Sequence, residues 1–544
     1  MRLIIPSATL IPEELQGIGQ LPAIIYPVNQ KIVFDYLYFQ YKDICEGIKV
    51  VCCKKVEKVQ RRLHAYNDKR IEIKTLDTLG SLADTIYYGI KDVDQPIIIN
   101  FSDTIVFDNI YNRQGDTFFY SMDYLSGTWT YYDIENGKLT NIYDKVESNS
   151  EDKKKLFVGV FQIFDTSAFA KCLKKAIEYP ETSMSAFYNA LVLYSQEHPF
   201  TDVCTTNWFD IGHADTYFNS RLEVKAREFN HIEIDRNRGI LTKYSDDKDK
   251  FIDEIKWYLK LPQDIEYVRP RIYSYSTSYI KPYVSMEYYA YHTLHELFLY
   301  GDLSKHRWID IFCRINFVCN DFRRYRVKDG GIKSALEDIY LTKTVQRLNL
   351  LKVDSHFENF FNKNIIVNGV TYKSLDEIDN ILQTIIPKML YDIDEFNIIH
   401  GDLCFTNIMV DNNFSFIKLI DPRGKFGSYD LYGDFRYELA KLFHSVDGKY
   451  DYIIKDLFTI DYDLEHRKIN FQISTRVKTY ELYDVLLTVF QKEVGNNLKK
   501  IELIEALLFL SMIPLHKESF NHQLVMLGTG VEILNRVVNI KMEV

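Results

Sequence analysis

The sequence predicts two unlike folds in series: an α/β doubly wound, mostly parallel sheet, followed by an α+β domain. Three observations carry this. In the first hundred residues, short apolar runs alternate with helical stretches of about 10 to 13 residues, the pattern of a parallel sheet covered on both faces. After Arg221 the chain changes character, and short strands give way to long helical patterns. At 544 residues the chain is too long for one core, and its 46% hydrophobic content suffices for two or three domains.

Leu3 to Ile5 reads as a strand, Lys31 to Lys42 as an aromatic-rich helix, Ile48 to Cys52 as a strand and Lys55 to Tyr66 as a helix. Ile71 to Leu76, Ser81 to Lys91 and Ile97 to Phe101 continue as strand, helix and strand. Ligands of such sheets bind at the carboxyl ends of the strands. Asp103, just after Ile97 to Phe101, is therefore a candidate ligand for a metal-bound phosphate. A second acid, Asp210, lies in Trp208-Phe209-Asp210-Ile211-Gly212, between an aromatic anchor and a glycine. Two acids meeting at a sheet edge suit a hard divalent cation, which takes carboxylate oxygens and keeps phosphate as a further ligand. Gly80-Ser81 opens a helix whose free N–H groups would approach a nucleotide base or phosphate, although the pair also suits a plain N-cap.

In the second half Gly239 to Ser245 reads as a strand carrying Lys243, Asp249 to Leu259 as an amphipathic helix carrying Glu254, and Tyr283 to Tyr288 as a further strand. Helical patterns follow at Leu294 to Tyr300, Trp308 to Arg324, Ala335 to Leu350 and Leu375 to Leu390. Then come His400-Gly401-Asp402-Leu403-Cys404-Phe405-Thr406-Asn407 and, past the turn Asp411-Asn412-Asn413, the run Phe416 to Asp421. The order is loop, strand, turn, strand, which brings Asn407 and Asp421 together. Moving a γ-phosphoryl group to a hydroxyl needs a carboxylate to orient the acceptor, oxygen ligands for magnesium and a cation on the phosphates. Asp402 is placed to take the acceptor's proton, with Asn407 and Asp421 sharing the metal.

A formal charge of −10, with lysines scattered among acids, leaves no electrostatic footprint for nucleic acid. The eight cysteines are dispersed and match neither zinc spacing nor a disulfide framework. No apolar run approaches the ~20 residues that cross a bilayer. Met1-Arg2 leads straight into Leu3 to Ile5 without a cleavable leader, so a cytoplasmic location is expected.

The His400 to Arg423 stretch resembles the catalytic and metal loops of the protein-kinase-like superfamily, in the His-Gly-Asp form of the aminoglycoside phosphotransferase and choline kinase branch. The resemblance implies a bilobal domain over residues 229–544, with a small lobe to about residue 290 and a large lobe beyond it. It implies that Lys243 and Glu254 fix the α- and β-phosphates, and that backbone from Met286 to Tyr288 meets an adenine edge. His400 supports the loop, and Asp434, or instead Asp430, buttresses it.

The first half, residues 1–228, resembles sugar-phosphate nucleotidylyltransferases, in which a strand-end Asp and a Trp-x-Asp-x-Gly Asp, here Asp103 and Asp210, hold magnesium. Leu21-Pro22-Ala23-Ile24-Ile25-Tyr26-Pro27-Val28-Asn29-Gln30-Lys31 is similar to the family's amino-terminal signature, but Ala23 stands where its catalytic Lys would be. The glycine-rich, Arg-bearing phosphate loop is also missing, and Arg2, Lys31 and Lys145 are the substitutes available. Together the resemblances imply a bifunctional small-molecule kinase and nucleotidylyltransferase. It would use Mg2+ and ATP, or another nucleoside triphosphate, act on a small hydroxyl-bearing acceptor, and make an activated sugar or alcohol for bacterial surface polysaccharide. Ala23 keeps an alternative open: a kinase whose amino-terminal domain only binds a sugar nucleotide or glycan precursor.

Overall fold

Parallel strands need a crossover between them, and here the helices supply it: two crossovers lead outward from the first strand to one edge, and the third returns the chain to that strand's other side. In the computed structural model, Arg2–Ser7 lies parallel to both Gly47–Cys52 and Ile97–Asn100, and Ile71–Thr75 extends the parallel run at the edge. The described residues are 1–28, 30–109, 114–123, 127–147, 152–181, 183–213, 217, 230–235, 237–475 and 479–542. They fall into two units, Met1–Glu223 with Tyr300–Asp302, and Val224–Leu299 with Leu303–Val544. The boundary expected at 228/229, like Asn29, lies outside the described residues.

The parallel run of the first unit continues into antiparallel strands. Lys154–Ile163 runs antiparallel to Ile97–Asn100 and to Thr117–Asp123, and Tyr131–Glu135 pairs with Lys138–Tyr143 as a hairpin. Asn136 and Gly137 make that hairpin, both with positive φ (50° and 81°), as a two-residue primed turn requires. The core packs Ile4, Ile86, Ile99, Phe118, Phe161, Phe169 and Phe187 between the sheet and the helices Leu82–Ile90, Thr166–Glu178 and Ala186–Ser195. Gly159, at φ 89°, sits in a register shift of Lys154–Ile163, where a Cβ would stand 2.7 Å from the Phe101 ring. Its carbonyl accepts from Phe101 N–H, which fixes the chain just before Asp103.

The second unit opens with a four-stranded antiparallel sheet in the order Asn230–Asp235, Ile240–Ser245, Tyr283–Glu287, Ile272–Ser276. The helix Lys248–Lys260 follows its second strand and buries Phe251, Glu254, Ile255 and Tyr258 at helical spacing. Beyond it the chain is mainly helical, with Lys305–Phe322, Leu375–Leu390, Phe435–Val446, Leu498–Met512 and Phe520–Val537 as its long helices. The helix expected over Ala335 to Leu350 is broken by a π-helical turn, Glu337–Thr342, between Ile332–Leu336 and Lys343–Lys352. A four-stranded sheet built from Ile365–Val367, Val370–Tyr372, Phe458–Asp463 and Lys468–Ile473 was not foreseen from the sequence. Among the described residues, no helix is long and apolar enough to cross a membrane.

Candidate active sites

The loop from His400 to Asn407 is held by its own backbone and by one buried acid. Glu438, fully buried on Phe435–Val446, accepts from the N–H groups of His400 (2.8 Å) and Gly401 (2.7 Å). Burial lifts the Glu438 carboxyl to about 7, against the two N–H groups that favour its ionised form. His400 donates from Nε2 to the carbonyl of Ile420 at 3.0 Å, and burial pushes its imidazole down to about 4. The ring is therefore neutral near pH 7 and pins the strand Ile417–Leu419 to the loop. Arg423 N–H donates to the His400 carbonyl and Ile420 N–H to that of Asn407, closing the hairpin onto the loop from both ends. Gly401 takes φ 78°, and a Cβ there would meet the Arg423 side chain at 2.9 Å.

Asp402 is oriented on both oxygens. Asn407 Nδ2 donates to its Oδ2 at 3.0 Å and to its carbonyl at 2.9 Å, while Lys441 Nζ reaches its Oδ1 at 2.8 Å. Lys243 Nζ contacts both oxygens of Glu254 at 2.9 Å and Asp421 Oδ1 at 2.8 Å. The two carboxylates hold the Lys243 ammonium above the ordinary lysine range despite its burial. Glu254 is enclosed, with an 11% exposed side chain, whereas Asp421 at 46% opens toward solvent, so Asp421 is the more accessible of the two partners of Lys243. Asp421 itself adopts φ 54°, a strained backbone for a non-glycine residue, and its N–H donates to Tyr258 Oη.

Two expectations for this unit need correction. Asp434 does not buttress the loop. It caps Phe435–Val446, accepts from Arg436 Nε and Nη2 at 2.8–3.0 Å and from Tyr340 Oη at 2.8 Å, and so has no oxygen left for the catalytic backbone. Asp430 is paired with Lys260 instead. The buttress is Glu438, one helical turn further on. In the expected hinge, Met286 is buried in the strand ladder and Tyr288 N–H donates to the carbonyl of Gly239, so that N–H is committed to the sheet rather than to an adenine edge.

In the first unit, Trp208–Asp210 pairs antiparallel with Thr104–Val106, placing Asp210 opposite Thr104. Gly212 lies between the two acids: a Cβ would stand 2.9 Å from Asp103 Oδ2 and 3.1 Å from Asp210 Oδ1. Burial and the neighbouring Asp210 lift the Asp103 carboxyl to about 6. Two carboxylates brought together this way fit a hard divalent cation, whose charge would reverse that shift. His213 Nδ1 meets Asp210 Oδ2 at 2.9 Å, which raises the imidazole pKa, and Trp129 packs on His213 and Trp208.

The proposed stand-ins for the missing lysine separate clearly. Ala23 is buried in the short turn Ala23–Ile25. Arg2 begins the first strand opposite Ile97, six residues before Asp103, about 20 Å away along an extended strand. It faces Glu72 and lies at the wrong end of the sheet. Lys31 lies over the rings of Tyr36 and Phe39. Lys145, with φ 57°, is the one whose charge acts on His213 beside the acid pair. Ser81 caps Leu82–Ile90 through a reciprocal bond with Asp84, and Asp84 also crowds Gly80, so this helix end already holds a carboxylate. Glu438, Lys441 and His213 were missed in the sequence. The first two are visible there only as an i, i+3 polar pair inside an apolar helix.

Neither a family model nor a curated protein sequence matches the chain. Solved structures match the amino-terminal part and are nucleotidylyltransferases. A putative glucose-1-phosphate thymidylyltransferase from Bacillus anthracis is 13% identical, with 42% of this chain and 97% of that one covered, at a TM-score of 0.34. The CTP:phosphocholine cytidylyltransferase of Streptococcus pneumoniae is 15% identical over 40% of this chain and 96% of its own, at 0.34. The inositol-1-phosphate CTP transferase of T. maritima is 12% identical over 41% and 97%, at 0.31. The fold of the first unit accordingly rests on its own strand order and register.

Proposed function

We propose that the second unit, a bilobal protein-kinase-like domain, moves a phosphoryl group from ATP, or another nucleoside triphosphate, to a hydroxyl of a small molecule. The first unit then joins the phosphorylated product to a nucleotide and releases pyrophosphate. The product is an activated sugar or alcohol of the kind from which bacterial surface polysaccharide is built. One observation carries the reading: Lys243 bridges Glu254 and Asp421 while Asn407 and Lys441 orient Asp402.

The acceptor hydroxyl gives its proton to Asp402 as its oxygen attacks the γ-phosphorus and the bond to the nucleoside diphosphate breaks. Asn407 and Lys441 keep the carboxylate turned toward the hydroxyl. Lys243 exchanges Asp421 for phosphate oxygens and stays oriented by Glu254. Magnesium held by Asn407 and Asp421 would neutralise the charge of the phosphates. In the first unit Asp103 and Asp210 fit a second magnesium, and Lys145 is the cation that replaces the lysine missing at Ala23.

The kinase is tested by nucleoside diphosphate release over a panel of sugars, polyols and choline-like alcohols, with Asp402→Ala as control. Wild-type turnover that persists in that variant would remove Asp402 from its role. The coupled step is tested by pyrophosphate release from each of the four nucleoside triphosphates with the phosphorylated product. The buried Ala23 favours a second reading, in which the first unit only binds a sugar nucleotide or glycan precursor. An active kinase with no pyrophosphate release from any pair would rule out the coupled step and leave this reading.

A further inference from the structure

Positive charge gathers beside Asp402: Arg423 and Lys441 both approach the Tyr437 ring, and Tyr340, three residues before Lys343, packs against the same ring. Lys441 contacts Asp402 directly. Arg423, pinned by its N–H to the His400 carbonyl, donates from Nη1 to Tyr437 Oη at 3.0 Å and stacks on the Tyr437 ring. Lys343 and Arg347, one turn apart on Lys343–Lys352, share a helix face just after the π-helical turn Glu337–Thr342. Such turns recur at functional sites, where they redirect the side chains that follow. Arg347 is anchored by Nη1 to the carbonyl of Ser511. Among the described residues, no carboxylate is in ion-pair contact with Lys343, Arg347 or Arg423.

The charges that act most on Lys343 are Arg423, Lys441 and Arg347, with Asp402 as the opposing carboxylate; with burial, they hold its ammonium well below the ordinary lysine range. Arg347 is lowered as well, by burial and by Arg423. Unpaired, half-buried cations that repel one another are costly, and an anion among them reverses the sign of each interaction. The nucleotide already has its own cation in Lys243, which acts with Glu254 and Asp421 rather than with this group. Lys343, Arg347 and Lys441 come instead from helices that carry none of the proposed nucleotide contacts.

We infer that the acceptor is anionic: a hydroxylated small molecule that already bears a phosphate or carboxylate group, held by Lys343, Arg347 and Arg423 while its free hydroxyl faces Asp402. The inference rests on the phosphoryl-transfer reading of this unit. It excludes choline-like and aminoglycoside-like cations, which the same cluster would repel.

The test compares acceptors that differ only in charge, hexose 6-phosphates and hexuronic acids against the parent hexoses, with choline as the cation. Phosphate-bearing and carboxylate-bearing arms distinguish the two anions. Lys343→Met and Arg347→Met are each expected to lower kcat/KM for the anionic acceptor by about tenfold to a hundredfold, the worth of one charged hydrogen bond. The ratio of anionic to neutral kcat/KM should collapse with it. Preferred turnover of a neutral or cationic acceptor, or an unchanged ratio in the variants, would overturn the inference while leaving the kinase standing. Absence of diphosphate release with every acceptor would instead count against the kinase. In that case inorganic phosphate is the probe: it should raise the melting temperature of the wild type and not that of the Lys343→Met/Arg347→Met double variant, and an equal rise in both overturns the anion pocket. Arg347→Met also gives up the bond to the Ser511 carbonyl, so Arg347→Lys, which keeps the charge, is its control: it should retain the preference for the anionic acceptor, and loss of that preference in Arg347→Lys as well would remove Arg347 from the anion pocket.

Discussion

The two acidic sites of this chain use the same residue type in opposite electrostatic settings. In the second unit each acid has a cation, Asp402 with Lys441 and Asp421 with Lys243, and the geometry is set before any ligand arrives. In the first unit Asp103 and Asp210 face each other across Gly212, with His213 beside Asp210 and the charge of Lys145 acting on His213. The first arrangement is pre-organised for orientation. The second stores repulsion that a bound divalent cation would relieve, which would link its structure to metal binding. A carboxylate's role therefore follows from its neighbours rather than from its motif.

The largest test of this contrast removes the paired acid. Asp402→Ala should lower phosphoryl transfer by about 10²- to 10⁴-fold, the usual worth of a positioned general base, while the nucleotide Kd by titration changes little. A loss of nucleotide affinity as large as the loss of rate would mean that Asp402 serves the phosphates. Next, Glu438→Gln exchanges one acceptor oxygen for a donor amide facing a backbone N–H. About 2 kcal/mol of stability should be lost in denaturant unfolding, together with part of kcat. An unchanged rate would show that the loop holds its shape without the buttress.

The repelling pair has a pH signature. The Asp103 carboxyl sits at about 6, above the value of about 3.9 in an unfolded chain, so the folded protein binds this proton more tightly. Its contribution to metal-free stability is fully present below about pH 4 and is lost as pH rises to about 6. Melting curves in chelator should show this loss in the wild type and a flatter profile in Asp103→Asn, which should also lose the rise in Tm produced by magnesium near pH 7.5. Identical profiles would mean that neither burial nor Asp210 raises the Asp103 carboxyl. The smallest effect is at Ser81: Ser81→Ala should cost about 1 kcal/mol through the lost cap. If Ser81 only caps the helix, nucleotide affinity will not move, whereas a weaker Kd would place a ligand at that helix end.

Local patterns carried most of the strands and helices. The parallel core Arg2–Ser7, Gly47–Cys52, Ile71–Thr75 and Ile97–Asn100 follows directly from apolar runs spaced by helices. Its antiparallel continuation was missed because the Asn136-Gly137 hairpin signal is two residues long and its flanking strands are partly polar. Asp402 and Asn407 share one short loop, so their proximity was legible. The contact of Lys243 with Glu254 needed only a strand followed by a helix. Glu438 was not legible, since a glutamate in the first turn of a helix is usually solvated, and nothing local says that this one is buried against an amide pair 38 residues away.

The sequence by itself determined the periodicities, the loop that carries Asp402 and Asn407, and the identities of the two acids in the first unit. These depend on residues within one or two elements of each other. Only the tertiary structure decided which groups complete each site. It placed Arg2 at the far end of the sheet from Asp103, turned Asp434 toward Arg436, and brought Lys441 onto Asp402. Electrostatic partners are chosen by distance in space and by exclusion of water, and neither is a property of position along the chain.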